Sequence, residues 1–266
     1  MNRNYTRAKD VEPEYMLALA CREQGKYKEA EDLLWRVTWR ATHAREAYVE
    51  LARLACLRGA WDEAETLIDE ALDRGAREAK LHVIKAFILR RRGRAAVAKR
   101  ELAAAVACDP LENWGLAERG FLAGAPAEKI VRNELKDRGL RAAQLMETVC
   151  DYAGLGTWDE VVALCEAAEA LAAREKPVAC GAGDRLGVRE AVAACASLRS
   201  PMFAYMRGWA LLQTGRSDEA IQAWQKAAAE PGNYCFPSRP EEYAALAAAA
   251  KCGADEIGRA SCRDRV

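Results

Sequence analysis

The sequence contains no apolar run close to the ~20 residues that a bilayer-spanning helix needs. Its first residues, MNRNYTRAKDVEPEY, lack the apolar core of a secretory signal. The sequence contains 40 basic residues (lysine and arginine) and 40 acidic residues (aspartate and glutamate). This balance gives no basic face for the phosphates of a nucleic acid. We therefore expect a cytoplasmic protein that has neither a membrane nor a nucleic acid as its partner.

Proline and phenylalanine are also scarce, at 8 and 4 residues, although 51% of the 266 residues are hydrophobic. Alanine-rich and proline-poor sequence favours helices, because alanine loses little side-chain entropy in a helix. The hydrophobic content is too high for a chain that is disordered by composition. Composition alone therefore predicts helices around a sizeable core.

The sequence also lacks the residue combinations that are typical of catalytic, metal-binding or cofactor-binding sites. The only two histidines, His43 and His82, have no partners spaced for a catalytic triad or a zinc site. The stretch GAGDRLG at 181–187 superficially resembles a dinucleotide-binding loop, but no strand precedes it, so we interpret it as a linker. We predict a protein that is not an enzyme and that has no catalytic centre, no cofactor and no metal.

Two features leave alternatives open. The ten cysteines include no C-x-x-C pair, and several lie in helical patterns where a free thiol packs as a small hydrophobe, but a thiol or metal protein is the competing interpretation. The run RRRGR at 90–94 could bind an anion. It is more typical of a solvated helix end, where cations interact favourably with the helix dipole.

What the sequence does contain is a period of 34 residues. GKYKEAEDLL at 25–34 is followed by GAWDEAETLI at 59–68, and a third glycine stands at 93. The alanine five residues after each glycine is Ala30, Ala64 or Ala98. An apolar-periodic stretch precedes each glycine, so each unit is predicted to be two helices joined at that glycine, which reaches turn conformations that other residues avoid. The small alanine lets the two helices pack closely.

Weaker copies start at Gly156 and Gly215. The resulting division places three units at 11–110, and a degenerate helical pair with a fourth unit at 111–173. A glycine- and proline-containing linker follows at 174–199, with a short helix at 189–197. A fifth unit with a further helix occupies 200–252. That last helix is predicted to follow Pro240 and to reach Lys251. The end of the sequence, EIGRASCRDRV, resembles a translated sequencing adapter. We therefore expect 253–266 to be a non-native tail on a fragment of a longer protein, with Met1 an internal start; a natural basic tail is the alternative.

The spacing and identity of these glycines and alanines resemble the tetratricopeptide repeat, best over 15–110 and 200–231. Ala95 and Ser217 depart from the family pattern, which has an aromatic residue there. The resemblance implies an all-α, right-handed α-solenoid of stacked helix-turn-helix units that acts as a protein–protein interaction scaffold. Stacked units share a core that no single unit can bury alone.

A narrower resemblance rests on CDPLENW at 108–114 and YCFPSRPEE at 234–242. These segments are similar to the repeat region of large bacterial proteins that carry an N-terminal β-sandwich domain of unknown function. This resemblance implies a bacterial source. It also implies an alternative function, as an accessory region of a carbohydrate-active or sugar-binding protein whose β-sandwich is absent here.

The family resemblance also implies that the first helix of each unit lines a concave groove that binds peptide or protein segments. The matching positions are Tyr15, Leu19, Arg22, Val49, Arg53, Val83, Phe87, Arg90, Tyr205 and Trp209. Their aromatics and arginines suit an extended or helical peptide, although several could instead be core between units. The positions with which some relatives clamp a chaperone's terminal carboxylate hold Tyr15, Leu19, Glu50, Lys80 and Ile84. Only Lys80 is compatible, so we do not expect that partner.

Overall fold

The computed structural model of the chain describes residues 12–75, 78–138, 142–174, 198, 200–229 and 237–252. All regular structure in these ranges is α-helical, and it forms thirteen helices without a strand. The all-α helical-repeat fold predicted from the sequence is therefore confirmed. The chain divides into two compact units, Met1–Leu122 and Ala123–Val266.

The first unit contains three helical hairpins and a seventh helix. Its helices are α1 (Glu12–Glu23), α2 (Tyr27–Thr38), α3 (Ala44–Leu57), α4 (Trp61–Asp73), α5 (Ala79–Arg91), α6 (Ala95–Cys108) and α7 (Asn113–Leu122). The hairpins α1–α2, α3–α4 and α5–α6 stack because α2 packs on α3 and α4 packs on α5, and α7 then packs on both α5 and α6.

The second unit contains two further hairpins with a helix on either side. Its helices are α8 (Ala127–Arg138), α9 (Ala142–Ala153), α10 (Trp158–Arg174), α11 (Met202–Gln213), α12 (Ser217–Ala229) and α13 (Pro240–Lys251). The pairs α9–α10 and α11–α12 are the hairpins, and α10 also packs on α8 and α11. Helix α13 contacts α11 and α9.

The glycine between the two helices of each hairpin adopts a left-handed conformation. At Gly25 φ is 73°, and the five repeat glycines share this region: Gly25, Gly59, Gly93, Gly156 and Gly215. The Gly25 amide donates to the Arg22 carbonyl at 2.9 Å, and the Lys26 amide donates to the Cys21 carbonyl at 2.9 Å. This pair of bonds, which closes a helix at a left-handed residue, recurs at the other four turns. The residue type that the sequence repeats is thus the one that the backbone requires.

Small, fully buried residues line the two helices of each hairpin in the first unit, whereas the same positions of the fourth hairpin hold Val149 and Val161. In the first unit these are Ala18 with Ala30, Ala52 with Ala64, and Ala86 with Ala98, all at 0% exposure. Small residues let the ridges of one helix enter the grooves of the other. In the fifth hairpin the smallest residue meets the largest: the Trp224 ring covers Gly208, and Trp224 Nε1 donates to the Tyr205 carbonyl at 3.2 Å.

The segment PSRPEE, at the end of the motif at 234–242, begins α13. Pro240 occupies the first turn, and the Glu242 carboxylate accepts from the backbone amides of Ser238 at 2.7 Å and Arg239 at 3.0 Å. Glu242 therefore satisfies two amides that have no partner within the helix. The Arg239 side chain reaches Glu147 of α9 at 2.7 Å. In the described residues this motif is a helix start tied to a neighbouring helix.

The predicted linker, its short helix at 189–197 and the tail at 253–266 lie almost wholly outside the described residues. The predicted domain boundaries stay predictions. The unit boundary at Leu122/Ala123 falls within the segment at 111–173 that the sequence assigns to a degenerate helical pair and the fourth unit.

Gly208→Ala should destabilise the protein by about 1–3 kcal/mol, because a Cβ at this position would lie only 2.6 Å from Trp224 Cδ1. The loss should appear although alanine favours a helix by up to ~1 kcal/mol over glycine. The measurement is urea unfolding followed by circular dichroism and tryptophan fluorescence.

Gly115→Ala in α7 is the matched control, because its Cβ would lie 3.2 Å from Val83 Cγ2, a contact that a small shift relieves. It should cost clearly less than Gly208→Ala. Equal effects of the two substitutions would show that the Trp224–Gly208 contact is looser than described.

Candidate protein-binding surface on the first helices

Three charged side chains join α1 to α3 in the first unit. Arg22 of α1 forms an ion pair with Glu50, and Arg53 Nη1 donates to the other oxygen of Glu50 at 3.3 Å. Glu50 is buried, whereas the two arginines are half-buried. One carboxylate therefore serves two guanidinium groups, and the Arg53 Nε is buried with no hydrogen-bond partner among the described residues.

The same ion pair recurs two periods later. Arg90 of α5 donates to Glu118 of α7 through Nε at 2.6 Å and Nη2 at 3.1 Å, and the Glu118 side chain is fully buried. In the hairpin between them, the equivalent positions hold Cys56 and Ile84, both buried. The positions that join the first helix of one hairpin to the next thus hold an ion pair, then two buried uncharged residues, then an ion pair.

Tyr15 lies beside the Arg22–Glu50–Arg53 cluster. Its ring stacks on His43 with centroids 5.4 Å apart and planes 3° from parallel. Burial, and then the negative charges of Glu50 and Glu46, raise the pKa of Tyr15 to about 12. The phenol therefore stays protonated well into the alkaline range and can donate a hydrogen bond.

The structure separates the ten predicted groove residues into two groups. Five half-buried side chains lie on α1 and α3 of the first two hairpins: Tyr15, Leu19, Arg22, Val49 and Arg53. We call these five residues the first-helix face. Val83, Phe87 and Tyr205 are buried at 0%, 0% and 4% exposure. These three are core residues and present almost no side-chain surface to a ligand, and Arg90 is engaged with Glu118.

Trp209 takes part in an aromatic contact that occurs twice. Trp61, at the start of α4, forms a T-shaped pair with Phe87 at 5.9 Å between centroids, and Trp158, at the start of α10, forms one with Trp209 at 5.0 Å. In both cases the aromatic that follows the turn glycine packs on the first helix of the next hairpin. This gives the repeated glycine–x–aromatic pattern a packing role between hairpins.

The arginines of RRRGR are held by intramolecular partners. Arg92 pairs with Asp62 and Glu65, and Arg94 donates to Glu65 at 2.6 Å. Arg91 lies over the rings of Trp61 and Phe87, at 5.5 and 5.8 Å from their centroids. These contacts favour the helix-end interpretation over an anion site.

Sequence reasoning missed an exposed aromatic pair at the end of α2, made up of Trp35 and of Trp39, which follows the last helical residue, Thr38. Trp35 is 40% exposed and Trp39 is 87% exposed, one helical turn apart, and Trp35 meets the edge of Tyr48 at 6.2 Å. The signal was present in the repeat: one period later the same positions hold Asp69 and Asp73. Because the repeat accepts aspartate there, its packing does not require tryptophan.

Three of the buried thiols in the described residues, those of Cys56, Cys150 and Cys165, are poor nucleophiles. Cys21, Cys56, Cys150 and Cys165 are buried and free. Burial raises the pKa of Cys56 to about 12, and it raises the pKa of Cys150 and Cys165 as well. Within the described ranges no group of three or more histidine, cysteine or acidic side chains could hold a metal ion.

No helix in the described part of the chain combines the length and apolarity needed to cross a bilayer.

No protein-family model matches the chain, and no curated protein matches it. Among solved structures, YrrB, described as a TPR protein with an unusual peptide-binding site, is 14% identical over 85% of this chain and 91% of its own, with a TM-score of 0.40. MamA is 13% identical over 82% and 89%, with a TM-score of 0.36. Naa15/Naa10 bound to HypK-THB is 13% identical over 94% of this chain and 36% of its own, with a TM-score of 0.37. Similarity at this level does not identify a ligand or a binding site for this chain.

Arg90→Met should destabilise the protein by about 3–5 kcal/mol, because it removes the guanidinium that compensates the fully buried Glu118 carboxylate. The double change Arg90→Met with Glu118→Leu copies the apolar contact of the middle hairpin and should recover most of the loss. Chemical unfolding monitored by circular dichroism measures both.

Arg58→Met is the control in the same unit, because Arg58 pairs with Glu31 and Glu63 while remaining 41% exposed. Its cost should stay within about 1 kcal/mol. A double variant no more stable than Arg90→Met would argue against the equivalence of the ionic and apolar contacts.

Tyr15→Phe should reduce the alkaline loss of stability. Because the folded-state pKa of Tyr15 is raised from 10.0 to about 12, folding favours the protonated phenol; this contribution is full below pH 10 and is lost as the pH rises towards 12. Melting curves of wild type and variant across this range, with tyrosinate absorbance as a direct titration, test the point. Curves that stay parallel throughout would show that Tyr15 titrates normally.

Proposed function

We propose that the chain is a non-catalytic protein–protein interaction scaffold that binds an extended or helical peptide segment on the first-helix face, the groove side of its first two hairpins. The observation that carries this proposal is the state of Arg53. It is a half-buried cation whose buried Nε has no hydrogen-bond partner among the described residues.

Arg53 has donor capacity to spare. Its ion pair from Nη1 to Glu50 is 3.3 Å long, and Glu50 is shared with Arg22. Because Nε is buried, a bound peptide would be met by the terminal Nη groups of Arg53, which can donate to a carboxylate or a backbone carbonyl. The ligand is therefore expected to place an acidic side chain, a chain terminus or a main-chain carbonyl next to Arg53.

Apolar contacts surround this polar group. Leu19 and Val49 are half-buried on the two adjoining helices, and Tyr15 adds an aromatic face with a protonated hydroxyl. Tyrosine and arginine are among the residue types that contribute most at protein interfaces. The first-helix face thus offers an apolar surface around the guanidinium of Arg53, which can donate directional hydrogen bonds.

The proposed site ends at the third hairpin. One period after Val49 and Arg53 the same positions hold Val83 and Phe87, which are fully buried. A ligand is therefore expected to span α1 and α3 and to stop before α5. No observation in the described residues favours the sugar-binding alternative.

The test is selection from a displayed peptide library, followed by affinity measurements on the selected peptides. Arg53→Ala and Leu19→Ser should each weaken binding by about tenfold or more, equivalent to about 1.4 kcal/mol. Arg36→Ala, an exposed substitution on α2, is the control and should leave the affinity unchanged.

Circular dichroism melts of each variant separate a lost contact from a lost fold. If the selected peptides bind Arg53→Ala normally but fail on Trp39→Ala, the binding surface is the pair of Trp35 and Trp39 at the end of α2, and the proposed site is wrong.

A further inference from the structure

Arg53 carries a charge at a position that is apolar in α1, α5 and α7. One period earlier this position holds Leu19, and one and two periods later it holds Phe87 and Phe121. Leu19 and Phe121 are half-buried and Phe87 is fully buried, so the position accepts apolar side chains at different degrees of cover. The stacking of the hairpins therefore does not require a cation at position 53.

The buried Glu50 carboxylate does not require Arg53 either. Its partner within the repeat is Arg22, and two periods later the same pair is formed by Glu118 and Arg90. At Glu118 the position equivalent to Arg53 holds a phenylalanine, so that buried carboxylate is accommodated without an arginine there. Arg53 reaches Glu50 through a hydrogen bond of 3.3 Å, which is long for a charge-assisted one. The charge of Arg53 is thus in excess of what folding needs.

A negative charge is favoured on the side of Arg53 that faces Cys56. Cys56 lies three residues further along α3, and burial raises the pKa of its thiol to about 12. The two charged side chains that oppose this rise are both cations, Arg53 and Arg91 of α5. A carboxylate next to Arg53 on this side would therefore be attracted by two arginines.

The electrostatic field has the opposite sign near Tyr15. There the carboxylates of Glu50 and Glu46 raise the pKa of the phenol and outweigh the arginines that lower it. The carboxylate of a ligand is consequently expected at Arg53, away from Tyr15.

A bound peptide would cover Arg53 and so create a need for a counter-charge. The Arg53 side chain keeps 20% exposure, and a ligand on the first-helix face removes much of that contact with water. A neutral carbonyl offsets the cost of desolvating a cation only in part, whereas a carboxylate brings the opposite charge and charge-assisted hydrogen bonds. The ligand is therefore selected by its charge as well as by its apolar side chains.

Apolar side chains flank Arg53 in both directions along α3. Val49 and Leu57 lie one helical turn before it and one turn after it, and both are half-buried. A chain that places its carboxylate at Arg53 can thus continue over apolar surface on either side. This arrangement suits an acidic side chain within a segment better than a chain terminus.

We propose that the first-helix face, as the peptide site of the proposed function, selects segments in which an acidic side chain is flanked on both sides by apolar residues. The ligand carboxylate accepts hydrogen bonds from the terminal Nη groups of Arg53, and the flanking residues pack on Val49 and Leu57. This specificity rests on the proposed function, because it concerns the same site.

The test uses the full chain and the peptides selected from the displayed library, synthesised with both ends capped. Each peptide is compared with a form in which its acidic residue is replaced by the isosteric amide, asparagine or glutamine. A third form carries the same amide together with a free terminal carboxylate. The wild-type protein should bind the capped acidic form about tenfold or more tightly than either of the other two.

Two substitutions remove the charge of Arg53 in different ways. Arg53→Phe copies the residue of α5 and α7, and Arg53→Gln keeps a polar side chain of similar length. In both variants the acidic and amide forms should bind equally, whereas Arg53→Lys should keep part of the preference. The urea midpoint of Arg53→Phe should match that of the wild type, and Arg22→Met should lower it clearly because it leaves Glu50 without the arginine of the repeat.

Three results would overturn this specificity. They are equal binding of the acidic and amide forms by the wild type, a preference that survives both Arg53→Phe and Arg53→Gln, and tight binding of the amide form with a free terminus. Peptide binding on the first-helix face would still stand if Arg53→Ala and Leu19→Ser weakened the binding of the amide form. If neither substitution changed the affinity for any form, the proposed function would fail as well.

Discussion

The close crossing of two helices within each hairpin is the constraint on which the rest of the structure depends. Small residues at the crossing, such as Ala52 with Ala64, let the helix backbones approach closely enough for the larger side chains around them to interlock. The turn glycine fixes where the second helix starts, and the crossing fixes its angle. The contacts between successive hairpins, including the T-shaped pair of Trp61 and Phe87, depend on that geometry.

The side chains between successive hairpins add a second constraint, which concerns the order in which the hairpins stack. The two arginine–glutamate contacts and the cysteine–isoleucine position between them make the hairpin interfaces chemically different, although their backbones are alike. A buried carboxylate such as Glu118 is tolerated only next to its arginine. Hairpins in the first unit are consequently not interchangeable, because a shift by one period would place a cation against Ile84 or leave Glu50 with a thiol.

Much of the fold could be predicted from the sequence because the residues that repeat have strong local conformational and packing preferences. In the first unit, a glycine every 34 residues, with an alanine five residues later, locates turns and crossings without any knowledge of tertiary contacts. The predicted last helix, from Pro240 to Lys251, is found at those bounds because a proline and an acidic first turn mark a helix start. The candidate site was less predictable. Position alone placed Phe87 and Arg53 on one face, but Phe87 is buried with Trp61 against it, whereas Arg53 is half-buried beside Glu50.

Trp35 and Trp39, at the end of α2, were missed for a different reason: their exposure could not be predicted from their spacing. Apolar residues at helical spacing indicate a core face, and Trp35 and Trp39 fit that expectation until their exposure is measured. Comparison with Asp69 and Asp73 at the same repeat positions would have shown that these positions belong to the surface and not to the core. In a repeat protein, the other repeats provide the alignment against which an unusual residue can be recognised.

The ion pair between Arg239, at the start of α13, and Glu147 of α9 joins helices that are far apart in sequence, and the first unit is held together differently. In the first unit each helix packs on neighbours close in sequence, so closing its contacts costs little loop entropy and the stack can open from one end, a hairpin at a time. In the second unit α13 returns to α9 and joins the last helix to the second. Freeing either α9 or α13 there also breaks a contact far away in sequence, which couples the two ends. The second unit is therefore built to open as a block, whereas the first can fray from α1 while its remaining hairpins stay folded.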